Sequence, residues 1–362
     1  MKIKNLLFSL LCVLAISQSF ISCSDNDDDL IDDGSTINLP RARVYILNEG
    51  SSNNDAGITF YAPNKDYETV KDIYKTQNKR GLGDTGQDMI EHDNNIYTIL
   101  SGSSLLVKLN SACVEQGTAL SFSAADGQPR SVVEQGGKLY VTLYSGKVAK
   151  INPKDMTIEG YVNVGKNPEG IAENDGFLYV VNSGWGDDST MTVINTADFS
   201  VTKTIEVAKN PFMVLESDGE VFVIAYGEGY STPILQKVDV EKETVTTITN
   251  ASKMCEYNDI VYCVFTETDY VNLPSPWIKE NKFFSYNTKT GTLKEENFLI
   301  DMPSELSKAV IYMLVVNPET GDFYVGTTDY ETNGDVYRFD RTGKFVEKFE
   351  SGGISPSKAV FF

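Results

Sequence analysis

Histidine is almost absent from this sequence. The chain has 362 residues and a single histidine, His92, which falls in a predicted turn. Ser-His-Asp and Cys-His catalysis both require a histidine beside the nucleophile, and histidine is the most common metal ligand. One turn histidine therefore argues against all three kinds of site, and we expect His92 to be an ordinary solvated residue.

Positive charge is also scarce. Lysine and arginine total 31, against 51 aspartates and glutamates, which gives a net charge of −20. An acidic surface repels the phosphate backbone of DNA and RNA. We therefore expect no nucleic-acid partner.

Cysteine is present but not in a pattern that suggests a site. The five cysteines include no Cys-x-x-Cys pair or Cys/His cluster, so zinc is not indicated. After the first 23 residues only Cys113, Cys255 and Cys263 remain, an odd number that does not make a disulfide framework. Cys255 and Cys263 flank one predicted hairpin turn and could face each other, although we favour reduced, buried thiols.

Long apolar runs are confined to the N-terminus. Lys2 and Lys4 precede a mostly apolar stretch, residues 6–20, that is too short for a comfortable membrane span. Residues 21–23 read Ile-Ser-Cys, and an acidic run follows at 24–29. This arrangement resembles a bacterial lipoprotein signal, and the acidic run resembles the surface-export signal of Bacteroidetes lipoproteins.

These features predict how the start of the chain is processed. We expect residues 1–22 to be a signal peptide, Cys23 to carry lipid, and residues 23–40 to form a lipidated acidic tether. The alternative is an ordinary signal peptide with an incidental cysteine. Lipidation would place the protein on the outer membrane, exposed at the cell surface.

A repeat of about 40 residues fills the rest of the chain, residues 41–362. Each copy has a short apolar strand, a tight turn such as EQGG, ENDG or ESDG, and an alternating strand that opens on an aromatic. Two further strands follow. The leading aromatics are Tyr45, Tyr97, Tyr140, Tyr179, Phe222, Tyr262 and Tyr324.

Four-stranded units of this length are typical of a β-propeller. A twisted sheet cannot cover both of its own faces, whereas radial packing of blades buries both. The seven copies predict an all-β, seven-bladed β-propeller with four-stranded blades. Residues 356–362 read as a first strand with nothing after it, so we expect them to pair with the strand that begins at Val44 and close the ring.

The repeat also predicts where the variable residues lie. The start of the first strand and the loop after the second strand share one face of a propeller. In five copies we place an inner-ring residue ten positions before the leading aromatic, and in a sixth copy, with a longer turn, we place it further back. These residues are Gln87, Arg130, Glu169, Phe212, Ser252 and Ser307. The loops on that face carry Tyr144, Trp185, Tyr226, Tyr230, Tyr270, Trp277 and Tyr330.

Aromatics among Gly, Ser and Asn suit a large, flat, partly polar ligand. The alternative is that the tryptophans simply pack their own loops. Carboxylate chemistry remains conceivable because Glu169, Glu228, Asp269 and Asp329 lie on the same face, but nothing in the sequence sets the distances between them. We expect no enzyme and no required cofactor or metal, and Arg130 and Glu169 could form an ion pair or part of a site.

The motifs Pro-x-Gly-Ile-Ala and Leu-Tyr-Val-x-Asn-Ser resemble the YncE-like seven-bladed propellers over residues 41–362. With the lipoprotein signal and the closing strand, the chain is similar to the BtuG-type cobalamin-capturing lipoproteins of Bacteroidetes. That resemblance implies non-covalent capture of cobalamin or another corrinoid and its transfer to an outer-membrane TonB-dependent transporter. The expected ligand-binding residues are Arg130, Tyr144, Trp185, Phe212, Tyr226, Tyr230, Tyr270, Trp277 and Tyr330.

Three other functions fit the same loop aromatics. A glycan- or peptide-binding module would bind saccharide or peptide and no corrinoid. A protein-interaction scaffold would form a stable complex without a small ligand. A lyase or hydrolase would lose turnover, but not binding, when Asp269 or Glu228 is changed conservatively.

Overall fold

The computed structural model describes residues 34–63, 67–228 and 232–362. Residues 32–362 form one compact unit. The predicted signal peptide, Cys23 and most of the predicted tether lie outside the described residues. No helix in the described part of the chain is long and apolar enough to span a membrane.

The first strands of the ring belong to the blade that the last strand completes. This blade contains β1 (Val44–Asn48) and β2 (Gly57–Tyr61), and helix α1 (Ile73–Asn78) follows. The second blade contains β3 (Gly86–His92), β4 (Asn95–Leu100), β5 (Leu105–Asn110) and β6 (Leu120–Ser121). The third contains β7 (Pro129–Gln135), β8 (Lys138–Leu143), β9 (Lys147–Asn152) and β10 (Thr157–Asn163).

The next four blades repeat this order. The fourth contains β11 (Pro168–Asn174), β12 (Phe177–Asn182), β13 (Thr190–Asn195) and β14 (Ser200–Glu206), and the fifth contains β15 (Pro211–Ser217), β16 (Glu220–Ala225), β17 (Ile234–Asp239) and β18 (Thr244–Asn250). The sixth contains β19 (Lys253–Glu256), β20 (Ile260–Thr268), β21 (Ile278–Asn287) and β22 (Thr292–Lys294). After a 3-10 helix (Ser304–Lys308), the seventh contains β23 (Val310–Val316), β24 (Phe323–Thr328), β25 (Asp335–Phe339) and β26 (Phe345–Glu350), and β27 (Pro356–Phe361) ends the chain.

The prediction of a seven-bladed propeller is confirmed. Six sheets are four-stranded and antiparallel, with strands in chain order, and the first strand of each contacts the first strand of the next blade. β27 contacts both β3 and β23, so the seven inner strands form a closed ring around a central channel. The second strands lie in the core, and β4, β8, β12 and β16 are almost entirely buried.

The ring closes as the sequence predicts. β27 pairs antiparallel with β1, with Val360 opposite Tyr45. Arg43 and Phe362 extend the pairing, because each backbone N–H donates to the other residue's carbonyl at 2.9 Å. The Phe362 ring also packs edge-on against Tyr45 at 5.7 Å. One blade therefore contains both ends of the described chain.

The closing blade differs from the expected four strands. β27, β1 and β2 form a three-stranded sheet. Its fourth position is reduced to a single bridge, in which Phe60 and Val70 exchange backbone hydrogen bonds of 3.0 Å. The chain then enters α1, which buries Ile73 and Tyr74 completely. The helix thus covers core that an outer strand covers in other blades.

The geometry of the turns between first and second strands explains why the sequence repeats Asp, Asn and Gly at these positions. Both central residues have positive φ in the pairs Asp93-Asn94, Gly136-Gly137, Asp175-Gly176, Asp218-Gly219 and Asn258-Asp259. Two successive left-handed residues are the signature of a type I′ hairpin turn, which favours Asn, Asp and Gly. His92 lies beside one of these turns, with its Nδ1 3.5 Å from Glu134 Oε2.

In the predicted tether, the Thr36 backbone N–H donates to Gln77 Oε1 at 2.8 Å, and Ile37 packs on the core, so this end of the segment lies against the propeller.

The two cysteines of the sixth blade do not face each other. Met254 pairs with Cys263, and Cys255 pairs with Tyr262. Cys255 and Cys263 therefore point to opposite faces of one sheet and are free thiols.

Candidate functional site

A β-bulge starts most of the inner strands and turns one side chain into the channel. In the pairing of β7 with β8, for example, the register shifts between Pro129 and Val132. An extra residue on one strand bends it and redirects its side chain. The bulge residues with long side chains that line the mouth of the channel are Gln87, Arg130, Glu169, Phe212 and Tyr312.

These bulges place the channel mouth on the same side as the loops after the second strands. We call this side the loop face. A cavity of about 230 Å³ at the mouth is lined by the bulge residues and by Glu49, Asp88, Lys253, Ser357 and Lys358, among others. Three acids and three bases surround it, so the mouth is neutral in a strongly acidic protein.

Arg130 and Glu169 form an ion pair across two blades. Arg130 Nε donates to Glu169 Oε2 at 2.8 Å, and Arg130 Nη1 donates to Gln87 Oε1. The guanidinium lies 5.3 Å from the centroid of the Tyr144 ring. Glu169 Oε1 accepts from the Tyr144 hydroxyl at 2.9 Å and from Ser183 at 3.2 Å. Burial and Glu169 raise the pKa of Tyr144 well above its usual value, against the opposing effect of Arg130.

Asp88 and Lys358 form a second pair beside the first, between the closing blade and the second blade. Asp88 is 4% exposed and accepts from Ser131 Oγ at 2.5 Å and from the Val132 and Met89 backbone N–H groups at 2.9 Å. Lys358 Nζ lies 3.2 Å from Asp88 Oδ1. The carboxylate is thus fully engaged with its own strand and with its neighbours.

Lys253, the third cation at the mouth, lies against an aromatic ring. Its ammonium nitrogen is 5.1 Å from the centroid of the Tyr312 ring, and the Tyr312 hydroxyl donates to Glu49 Oε2 at 2.5 Å. Burial lowers the pKa of Lys253 to about 8; Glu49 opposes this shift, whereas Lys358 and Arg130 add to it. The same burial and Glu49 raise the pKa of Tyr312 well above its usual value.

A larger cavity of about 680 Å³ adjoins the first and shares Lys253 and Tyr312 with it. Its aromatic wall includes Tyr226, Tyr270 and Tyr330. Tyr330 packs edge-on against Tyr312 at 5.9 Å. The loop face therefore has a polar, charged centre and an aromatic pocket beside it.

Large apolar side chains are exposed mainly on this face. Among the described residues nine large hydrophobic side chains are exposed, and five of them belong to loops of the loop face. The aromatic ones are Trp185 at 62%, Tyr270 at 71%, Trp277 at 41% and Tyr330 at 58%. Exposed apolar patches are typical of interaction sites, so the loop face is the candidate surface.

Three of these aromatics have a strained backbone. Trp185 has φ 52°, Trp277 has φ 61° and Tyr330 has φ 65°. The left-handed region costs an L-residue roughly 1–2 kcal/mol and is a genuine outlier for a bulky side chain. Strain of this kind is concentrated at binding sites, where the surrounding loop enforces it.

The predicted binding residues fall into separate groups. Arg130, Tyr144 and Trp185 are contiguous, since Trp185 packs edge-on against Tyr144 at 5.5 Å. Phe212 stacks on Tyr226 at 4.3 Å.

The other predicted aromatics lie further round the loop face. Tyr270 packs against Trp277 at 5.7 Å, and Tyr330 packs on Tyr312. Tyr270 and Tyr330 line the larger cavity, whereas Trp277 does not. Tyr230 lies outside the described residues.

One inner-ring position was predicted wrongly. Ser307 lies in the 3-10 helix before β23, and the bulge residue of that blade is Tyr312. Tyr324 pairs with Val315, three residues after Tyr312, just as Phe222 pairs with Leu215, three residues after Phe212. The turn at residues 317–322 is longer than in the other blades, so the inner-ring residue lies more than ten positions before Tyr324. The strand pairing identifies it as Tyr312.

Sequence reasoning also missed Glu49, Lys253 and Lys358 as site residues. Lys253 follows the equivalent inner-ring residue Ser252 by one position, and Lys358 follows its counterpart Ser357 by one. The signal was present as lysines beside two inner-ring positions. Only the fold shows that their side chains reach the channel mouth.

Two of the four acids considered for catalysis, Asp269 and Asp329, accept hydrogen bonds from their own loops, and Glu228 pairs with Lys209 at 3.0 Å. Asp269 accepts from the Val271 and Asn272 backbone N–H groups at 3.1 and 3.0 Å. Asp329 accepts from the Thr332 hydroxyl at 2.6 Å and from the Thr332 backbone N–H at 2.7 Å, and these hydrogen bonds lower the pKa of Asp329 to about 2. No group of three potential ligands placed to hold a metal ion occurs within the described residues.

Solved structures similar to this chain share its fold at low identity. A functionally unknown protein from Desulfotomaculum acetoxidans DSM 771 has a TM-score of 0.59 and 13% identity, over 88% of this chain and 98% of that one. Apo AztD from Citrobacter koseri has a TM-score of 0.57 and 10% identity over the same shares. Virginiamycin B lyase from Staphylococcus aureus has a TM-score of 0.53 and 15% identity, over 73% of this chain and 83% of that one.

At these identities the likeness shows the propeller fold alone, and the neighbours include an enzyme as well as a protein without assigned function. The sequence matches none of the curated protein sequences. One family model matches residues 43–362, the whole ring from the last residue before β1 to the end of the chain. The chain therefore belongs to the family described as Domain of unknown function (DUF5074).

Proposed function

We propose that the protein is a cell-surface lipoprotein, anchored through Cys23, that captures a corrinoid such as cobalamin on the loop face. Capture is non-covalent, and the ligand then passes to an outer-membrane TonB-dependent transporter. The observation that carries the proposal is the exposed, strained aromatic set at Trp185, Trp277 and Tyr330, around a charge-balanced mouth.

The chemistry of the face suits a large, flat ligand with polar arms. Exposed tyrosine and tryptophan rings provide contact area with few rotatable bonds. The mouth offers both donors and acceptors, including Arg130, Lys358 and Glu49. Ligand sites of this kind are mostly apolar with a few convergent polar groups, and a corrin ring with amide arms fits that description.

Binding fits the face better than catalysis does. Of the four carboxylates considered for hydrolysis, Asp269 and Asp329 are held by hydrogen bonds from their own loops, and Glu228 lies 3.0 Å from Lys209. Glu169 is paired with Arg130. A general acid or base needs oxygens that are free to reach the substrate, and the oxygens of these groups are engaged within the protein.

The test is a calorimetric titration of residues 32–362 with cyanocobalamin, with tryptophan fluorescence as a second readout. We expect saturable binding at one site and quenching of Trp185 or Trp277. An absence of both heat and quenching at micromolar protein would remove the corrinoid proposal. Parallel titrations with bacterial polysaccharides and peptides would then decide whether the same face binds one of those instead.

A further inference from the structure

Lys253 is a cation without an anionic partner. Within the part of the chain that the structure describes, no carboxylate lies at ion-pair distance from its ammonium group, and no hydrogen bond joins it to another side chain. Its ammonium group makes a cation–π contact with Tyr312, 5.1 Å from the ring centroid. Glu49 is near enough to influence it, but one of the Glu49 oxygens accepts from the Tyr312 hydroxyl.

The other two cations at the mouth are paired. Arg130 is bound to Glu169 at 2.8 Å, and Lys358 lies 3.2 Å from Asp88. Burial of a charge is unfavourable unless the charge is paired. Lys253 is therefore the one cation lining the small cavity whose positive charge is free to meet an anion from outside.

The position of Lys253 is suited to that role. It lines both the small cavity at the channel mouth and the larger aromatic cavity. Arg130 and Lys358 line the small cavity with it, and both act on Lys253 as like charges. Glu169 and Asp88 offset the charges of Arg130 and Lys358, so the attraction of an anion to this recess comes from the unpaired Lys253, and the low-dielectric walls strengthen it.

We propose that the small cavity is an anion subsite in which Lys253, assisted by Lys358 and Arg130, binds one carboxylate or phosphate group. That group would be the anionic end of a ligand whose body lies in the aromatic cavity. Charge-assisted hydrogen bonds from an ammonium to such an oxyanion are short and strong. The subsite does not require the ligand to be a corrinoid.

Binding at this subsite depends on pH. In the small cavity, the charged groups around Lys253 are Glu49 after β1, Asp88 on β3, Arg130 on β7, Glu169 on β11 and Lys358 on β27, together with the hydroxyl of Tyr312 on β23. The larger cavity adds Glu267 on β20, which is paired with Lys279 and Lys282. The Lys253 ammonium loses its proton as the pH passes its pKa of about 8. Anion binding therefore weakens above that pH, and a bound anion raises the pKa in return.

The experiment uses residues 32–362 and sodium sulfate as the phosphate-like probe, because sulfate keeps its charge between pH 6 and 9. Sodium acetate represents a carboxylate, and acetamide is its neutral control. Thermal unfolding is followed at constant ionic strength, set with sodium chloride, for the parent chain and for Lys253→Met. Lys289→Met, which removes a lysine paired with Asp259 at 2.6 Å in an exposed turn, is the matched control.

We expect sulfate and acetate, but not acetamide, to raise the unfolding midpoint of the parent and of Lys289→Met. Apparent affinity should fall at least about tenfold in Lys253→Met. General stabilisation by excluded sulfate is common to all variants and cancels in the comparison. An equal rise in Lys253→Met and in the parent would overturn the proposal.

A second measurement avoids substitution altogether. In the parent chain with 13C-methylated lysines, NMR titration gives the pKa of Lys253 with and without sulfate. An upward shift of about one unit supports the subsite, and an unchanged pKa overturns it. Because no corrinoid is present, anion binding that persists when cyanocobalamin fails to bind would separate this subsite from the proposed function.

Discussion

Arg130 Nε donates to Glu169 Oε2 at 2.8 Å and so joins the inner strands of two neighbouring blades. The side chains are 26% and 11% exposed, and Glu169 also accepts from Tyr144 and Ser183. The pair is thus part of a network that holds the channel mouth together.

Loss of Arg130 should therefore destabilise the fold. We expect Arg130→Met to lower the free energy of unfolding by about 2–4 kcal/mol, because it leaves the Glu169 carboxylate buried without a cation. Urea unfolding measures this. Lys138→Met, which breaks a more exposed pair with Glu159, is the control and should change stability by less than about 1 kcal/mol. Equal effects of the two substitutions would contradict the network.

Backbone strain at the loop aromatics predicts that binding and stability can be separated. Trp185 has φ 52°, so Trp185→Gly relieves a strain of about 1 kcal/mol but loses the edge contact with Tyr144. We expect the free energy of unfolding to stay within about 1 kcal/mol of the parent, while affinity for cyanocobalamin falls at least about tenfold.

A matched control exists for that substitution. Tyr161 is 43% exposed on β10, the outermost strand of the third blade, and Tyr161→Ala should leave cyanocobalamin affinity unchanged in the same calorimetric titration. If Trp185→Gly bound the ligand as tightly as the parent, the strained aromatics would have no part in binding.

The closing strand should be essential to cooperative folding. Deletion of residues 356–362 removes β27, and with it the pairing of β1 and the contacts with β3 and β23. We expect the shortened chain to lose its cooperative thermal transition, as followed by circular dichroism. A synthetic peptide of the seven residues should restore it in trans. An unchanged midpoint in the shortened chain would show that the ring does not depend on this strand.

The pKa of Lys253 predicts a pH dependence of stability. The folded value of about 8 lies below the ordinary value of 10.5, so the unfolded chain binds more protons between these limits. Stability should therefore rise as the pH increases from about 8 to 10.5. In sulfate-free buffer at pH 7, we expect Lys253→Met to be more stable than the parent by about 1–2 kcal/mol.

That gain should shrink at higher pH, because the parent then loses the unpaired charge as well. Urea unfolding at pH 7 and at pH 9.5 tests this, with Lys289→Met as the control that shows no such change. A Lys253→Met chain that is less stable than the parent at both pH values would show that the lysine stabilises the fold.

The thiols provide a test of strand register. Cys255 and Cys263 point to opposite faces of their sheet, and burial raises the pKa of both thiols. We expect a thiol reagent to label Cys113, Cys255 and Cys263 of residues 32–362 only slowly before denaturation and all three quickly after it, without a reductant. A native chain with a single reactive thiol after unfolding would indicate a disulfide instead.

Much of the fold could be predicted because local sequence and global geometry agree. The turns with Asp, Asn and Gly require left-handed residues, and the structure has them at both central positions of five hairpins. The strand at residues 356–362 was recognisable because it is a first strand without a successor. The reduced outer strand of the closing blade was not, since nothing in residues 62–72 signals that α1 would take its place.

The site was predictable in its aromatic part and not in its charged part. Loop aromatics such as Trp185 and Tyr330 stand out in sequence because they interrupt the repeat. Lys253 and Glu49 do not, because their roles arise from bulges and from the meeting of strands that are far apart in the chain. Tyr312 was missed because the turn before Tyr324 is longer than in the other blades. The spacing of ten residues that locates the equivalent residues elsewhere therefore does not apply there.

The central claim is that ligand binds to the loop face, and hydrogen–deuterium exchange of residues 32–362 with and without cyanocobalamin tests it most directly. The account predicts that the ligand slows exchange in the loops at residues 183–188, 268–278 and 328–333. The hairpin turns at the opposite end, such as Asp93-Asn94 and Gly136-Gly137, should be unaffected. Protection of those turns, or no protection at all at saturating ligand, would contradict it.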